Sequence, residues 1–128
     1  MPALIVRADA AFEALLGVVL IVGVSTGALD SADFPHPVGR PLIVATGVVL
    51  LPLALVIWRL PPAPETLRAL ALGNMLTALL GALWLVLASG FSAQGAAVTG
   101  AAVVILACLA LAQAGASVRR RDRAPSPG

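Results

Sequence analysis

The sequence predicts an all-α protein, a bundle of four transmembrane helices with up-down topology and both termini in the cytoplasm. Composition is the first reason, since 60% of the 128 residues are hydrophobic and 11% are charged, whereas soluble domains carry about 25% charged residues. The other two reasons are long apolar runs separated by turn residues and an uneven distribution of arginine. So few charges could not cover the surface of a water-soluble fold.

The first two helices are predicted over residues 8–29 and 41–60. Each run approaches the roughly 20 apolar residues that a membrane-spanning helix needs. Proline suits the first turn of a helix, so Pro41 marks a start, and the prolines that begin at Pro61 mark an end. Pro52 lies inside the second helix and predicts a kink there.

The third and fourth helices follow from a stretch without charge. No charged residue occurs in the fifty positions from 69 to 118, and one helix of that length would be about 75 Å long. The hydrocarbon core is only about 30 Å thick, so the chain must turn back. The best break is the stretch SGFSAQG at 89–95. It predicts helices over 65–89 and 91–117.

The arginines predict the orientation of the bundle. Only Arg40 falls on one side, in a loop with Asp30 and Asp33. The other seven fall on the opposite side, which is therefore predicted to face the cytoplasm. They are Arg7, Arg59, Arg68, Arg119, Arg120, Arg121 and Arg123. The expected location is a cell membrane, which the chain crosses several times. The predicted organisation is a transmembrane domain, 1–118, and a disordered basic cytoplasmic tail, 119–128.

Polar residues on three helices are predicted to share one depth. Glu13, Asn74 and Gln113 each lie six residues from an arginine that marks the cytoplasmic interface, about 9 Å inside it. Helical periodicity places Asp9 on the same face as Glu13. These four residues form a candidate ligand or proton site, in which Glu13 accepts hydrogen bonds from the two amides or a nearby arginine. The alternative is that they only fasten helices together.

Other candidate sites are weak. Asp30, Asp33 and His36 recur every three residues in the predicted outer loop, but a fixed metal site needs more ligands than this turn offers. Cys108 lies in an apolar run far from the single histidine. Because no catalytic or cofactor motif occurs, we expect no enzyme, no cofactor and no metal. Nucleic acid is not expected as a partner either, since no basic stripe with interleaved aromatic residues occurs.

The expected partners are membrane lipid, a second copy of the chain, or another membrane protein. Gly23 and Gly27 form a GxxxG motif, which serves internal helix packing as readily as dimerisation. The basic C-terminal tail anchors the topology or contacts anionic headgroups.

Short motifs along nearly the whole chain resemble a group of small, uncharacterised four-helix membrane proteins of high-GC bacteria. They are the RxD pattern of Arg7 and Asp9, VIWRL at the end of the second helix, GN at Gly73 and Asn74, and the arginine run after the fourth helix. This resemblance brings no known activity with it.

Three functions remain open. The sequence favours a structural or accessory membrane component, and the alternative is a small proton-coupled transporter that uses Glu13. Small multidrug-resistance transporters have similar length and a glutamate in helix one, but they line their site with tyrosine, which this chain lacks, and their glutamate lies deeper. The third possible function is an enzyme subunit that acts on lipid or quinone. The expected absence of a second acid–base group near Glu13 counts against it.

Overall fold

The chain folds into four helices and, among the residues described, no strand. The computed structural model describes residues 1–30, 34 and 39–121. The helices are α1 (Pro2–Ser25), α2 (Arg40–Arg59), α3 (Pro64–Leu87) and α4 (Ala93–Arg121). The all-α prediction with four helices is therefore confirmed.

The helix ends follow local chemistry. A proline stands in the first turn of α1, α2 and α3, where its missing N–H leaves no helical bond unmade. The break between α3 and α4 lies where it is predicted: Gly90 has a φ of 99°, and the Ser92 hydroxyl accepts a hydrogen bond from the Gly95 N–H. The Ser92 side chain therefore caps α4.

Three boundaries differ from the predicted ones by four residues or more. α1 begins at Pro2 rather than near residue 8, because the helix continues through the charged residues at its start, and it ends at Ser25 rather than near residue 29, where the chain turns at Gly27. α4 continues to Arg121, so the first three residues of the predicted disordered tail are helical, and residues 122–128 lie outside the described part. Pro52 lies within a continuous α2, and the kink stays a prediction.

The four helices pair as two antiparallel hairpins, α1 with α2 and α3 with α4. Gly17 and Gly47 allow the first pair to pack closely. A Cβ on Gly47 would lie 2.8 Å from the Gly17 carbonyl oxygen, and one on Gly17 would lie 3.0 Å from that of Gly47. Small residues at a helix crossing let two backbones approach in this way.

The GxxxG motif does not make this close contact. Gly27 lies beyond the end of α1 with a φ of 76°, and Gly23 faces the Leu29 side chain of the turn that follows its own helix. The motif therefore serves the chain reversal after α1, and the helix-packing glycines are Gly17 and Gly47.

The two hairpins meet along a narrow seam, mainly where α1 crosses α4. At the end of the bundle that holds residue 1, a small core of Val6, Ala10, Ile57 and Leu67 draws residues from α1, α2 and α3 together. Ala116 of α4 packs against the same core. The polar residues described below lie next to this core.

The bundle is apolar outside and partly polar inside. Large aliphatic side chains face outward along α3, such as Leu76 at 60% and Val86 at 80% exposure. The buried polar side chains are Asp9, Glu13, Asn74, Gln113 and Ser117. Among the described residues, α2, α3 and α4 are long and apolar enough to cross a membrane. α1 has 24 residues but is not among these helices, and it carries three charges in its first half.

Candidate functional site

Three buried side chains from three helices form a closed ring of hydrogen bonds. The Asn74 Nδ2 of α3 donates to Asp9 Oδ1 of α1 at 2.9 Å and to Gln113 Oε1 of α4 at 3.1 Å. The Gln113 Nε2 donates to Asp9 Oδ2 at 2.9 Å. We call Asp9, Asn74 and Gln113 the polar ring. Of the three residues predicted to share a depth, Asn74 and Gln113 are bonded to each other, and the third member of the polar ring is Asp9 rather than Glu13.

The hydrogen-bond donors and acceptors of the polar ring match one another. A carboxylate has acceptors only, and each Asp9 oxygen receives one amide N–H. Hydrogen bonds to a charged acceptor are about twice as strong as neutral ones. Asp9 and Gln113 have no measurable exposure and Asn74 is 7% exposed, so water does not compete for these bonds. The ring joins α1 of one hairpin to both helices of the other.

Glu13 does not take the place that its depth predicts. Asp9, not Glu13, accepts the hydrogen bonds from both amides. Glu13 lies one helical turn deeper on the same face and is 8% exposed. Its Oε2 is buried and has no hydrogen-bond partner among the described residues. A buried carboxyl oxygen without a donor is costly, and it makes Glu13 the unexplained polar group of the bundle.

The neighbouring arginine contacts an aromatic ring rather than either carboxyl group. The Arg7 guanidinium lies 5.5 Å from the centre of the Trp58 ring, within the range of a cation–π interaction. This contact joins the start of α1 to the end of α2. The predicted bond between Glu13 and a nearby arginine is therefore absent from the described residues, where the single ion pair is Arg40 with Asp30.

Aromatic residues collect at the opposite end of the bundle. Trp84 and Phe91 pack edge to face with ring centres 4.7 Å apart, and Phe34 stacks on Trp84 at 6.2 Å. Trp58 and Trp84 thus lie near opposite ends of the helices, and aromatic residues of membrane proteins are enriched at both membrane–water interfaces.

Of the three acidic and histidine residues in the predicted outer loop, Asp30 alone lies in the described part of the chain. Asp33 and His36 lie outside the described residues, and Asp30 pairs with Arg40. No group of three histidine, cysteine or acidic side chains that could hold a metal occurs in the part of the chain that is described. Cys108 is exposed on the surface of α4.

Sequence reasoning missed two features of this region. The first is the Arg7–Trp58 pair, which joins residues 51 positions apart that no periodicity connects. The second is the lack of a described hydrogen-bond partner for Glu13 Oε2, which depends on the axial offset between helices, and a single sequence does not give that offset.

No protein-family model, curated protein or solved structure matches the chain.

Proposed function

We propose that the chain is a multi-pass protein of the bacterial inner membrane, with both termini in the cytoplasm, that acts as a structural or accessory membrane component. The polar ring supports this most directly. Its three side chains bond to one another, and Asp9 receives a donor on each oxygen. A set of groups that satisfy one another in this way holds helices in register. We assign no reaction to the chain. Its membership in a group of small four-helix membrane proteins of high-GC bacteria, which its motifs resemble, is part of the same proposal.

The apolar exterior supports the membrane location. Side chains such as Leu76, Leu79 and Leu83 on α3 are more than half exposed, and one continuous apolar patch of this extent is unusual on a soluble monomer. Lipid tails would cover this surface. A second copy of the chain or a partner protein would also cover part of it.

Copurification tests the accessory role. A tagged chain is extracted from native membranes in a mild detergent, and the captured proteins are quantified against an unrelated tagged membrane protein of similar size and abundance. We expect either a recurring stoichiometric partner or a homo-oligomer. A lone monomer with no recurring partner in repeated preparations would contradict the accessory role.

The second candidate is a small proton-coupled transporter that uses Glu13. One observation favours it: Glu13 Oε2 is buried without a partner, one turn from the Asp9 carboxyl group. An ionisable group inside a membrane bundle points to a functional site when its partner is missing. The proton or ligand would bind at this oxygen, and the polar ring would border the site.

Proton flux separates the two candidates. Vesicles that contain the wild type, Glu13→Gln or Glu65→Gln are compared with empty vesicles under a pH gradient. Glu65 is the matched control because it is an exposed glutamate in the first turn of α3. Transport requires flux in the wild type and in Glu65→Gln that Glu13→Gln lacks. Background flux in all of them eliminates this candidate.

A further inference from the structure

A cleft opens between the first turns of α1 and the last turns of α4. It has a volume of about 640 Å³, which falls within the roughly 300–1,000 Å³ of small-molecule sites. Its lining is formed by Met1, Pro2, Ile5, Leu111, Ala112, Gly115, Ala116 and Arg119. All but one of these are apolar or small, so the cleft suits a hydrocarbon chain.

Arg119 supplies the one charged side chain among the described residues of the lining. It is exposed and forms no ion pair with another described residue. Leu111 precedes it by eight residues on the same helix, so the α4 wall extends about 12 Å from the arginine. The cleft therefore has a cation at one end and apolar walls beyond it.

This arrangement matches an anionic phospholipid. We propose that the cleft holds one such lipid, with its phosphate at Arg119 and one acyl chain along α4 between Ala116 and Leu111. Basic clefts between transmembrane helices on the cytoplasmic side bind anionic headgroups. The lipid would come from the cytoplasmic leaflet, and this part of the inference rests on the proposed orientation in the membrane.

Space inside the cleft is open at Gly115. A Cβ at this position would meet no atom within 4 Å, and Gly115 lines the cleft, so a side chain added there starts in open space. Gly115→Leu thus blocks the acyl chain, and Arg119→Gln removes the charge. Arg59→Gln is the matched charge control, because Arg59 is an exposed arginine at the end of α2 outside the cleft.

The test is native mass spectrometry of delipidated protein in detergent, titrated with phosphatidylglycerol or phosphatidylcholine of identical acyl chains. We expect the wild type and Arg59→Gln to bind one phosphatidylglycerol about fivefold more tightly than phosphatidylcholine. This factor corresponds to the attraction between one arginine and one anionic headgroup. Arg119→Gln should lose that preference. Gly115→Leu should bind both lipids at least fivefold more weakly than the wild type.

Three results would overturn the proposal: equal retention of the two lipids by the wild type, an equal loss of preference in both arginine variants, or unchanged binding in Gly115→Leu. Circular dichroism of each variant shows whether it has folded, and Gly115→Leu keeps the test decisive if Arg119→Gln does not fold. Because the titration is done in detergent, its outcome does not depend on membrane orientation or on the accessory role.

Discussion

Replacing Asn74 with alanine removes the side chain that donates to both other members of the polar ring. Both hydrogen bonds from Asn74 Nδ2 are lost, and at about 0.6 kcal/mol each in a membrane bundle they total about 1.2 kcal/mol. Asp9 Oδ1 and Gln113 Oε1 are then left buried without these donors, and an unsatisfied acceptor costs about 1–3 kcal/mol. We therefore expect Asn74→Ala to lower the free energy of unfolding by about 1–6 kcal/mol: about 1.2 kcal/mol if only the two bonds are lost, and about 2–6 kcal/mol if both acceptors stay unsatisfied.

Reversible unfolding in mixed detergent micelles, followed by circular dichroism, measures this loss. Thr77→Ala is the control, because the Thr77 hydroxyl is exposed and bonds only to the Gly73 carbonyl of its own helix, and it should change stability by less than about 0.5 kcal/mol. A double-mutant cycle with Gln113→Ala should give a coupling of about 0.5 kcal/mol or more. Equal effects of Asn74→Ala and Thr77→Ala, or zero coupling, would refute the assignment of the polar ring as a fastening.

Two further pairs of variants test the buried carboxyl groups and the packing of glycine in the helices. Asp9→Asn replaces one acceptor oxygen with an NH2 group that faces an amide donor, and it should cost about 1–3 kcal/mol. Glu13→Gln, at an oxygen with no partner among the described residues, should leave stability unchanged or raise it. The same unfolding assay decides, and a larger loss in Glu13→Gln contradicts the structure. Gly47→Ala forces a Cβ to 2.8 Å from the Gly17 oxygen and should cost about 1–3 kcal/mol. Gly73→Ala meets open space and should stabilise its helix by about 0.5–1 kcal/mol; thermal melts that rank these two glycine variants in the reverse order contradict the α1–α2 packing.

Helix number and helix faces were predictable because both depend on local pattern. A charge-free run far longer than the bilayer is thick had to turn, and the structure turns at Gly90. On α3, helical periodicity separates the inward face of Asn74 and Ala78 from the outward leucines such as Leu76. Membrane-type bundles make this separation clear, because small and polar residues pack inside and leucines face outward.

The partner of the two amides was not predictable in the same way. Asp9 and Glu13 are four residues apart and share one face, so angle alone does not separate them. Counting from the nearest arginine selects Glu13, but helices also differ in their axial offset. The offset of α1 from α3 and α4 depends on packing contacts such as those of Val6 and Ala10 with Leu67, and these join segments that are distant in sequence.

The approach of the two hairpins was likewise hidden. Up-down topology makes α1–α2 and α3–α4 neighbours, yet nothing in the sequence says how closely the two hairpins approach each other. In the structure they meet along a narrow seam, and the polar ring bridges it. Within the described residues, the polar ring and the small core of Val6, Ala10, Ile57 and Leu67 lie side by side where the hairpins meet.

Membrane topology tests the central claim most directly. Compartment-sensitive reporters are fused at residue 1, after residue 128, and in the segment between α1 and α2 of the intact chain. The account predicts cytoplasmic reporters at both ends and an external reporter between α1 and α2, with all three fusions in the membrane fraction. Termini in opposite compartments, or a chain that remains in solution without detergent, would contradict it.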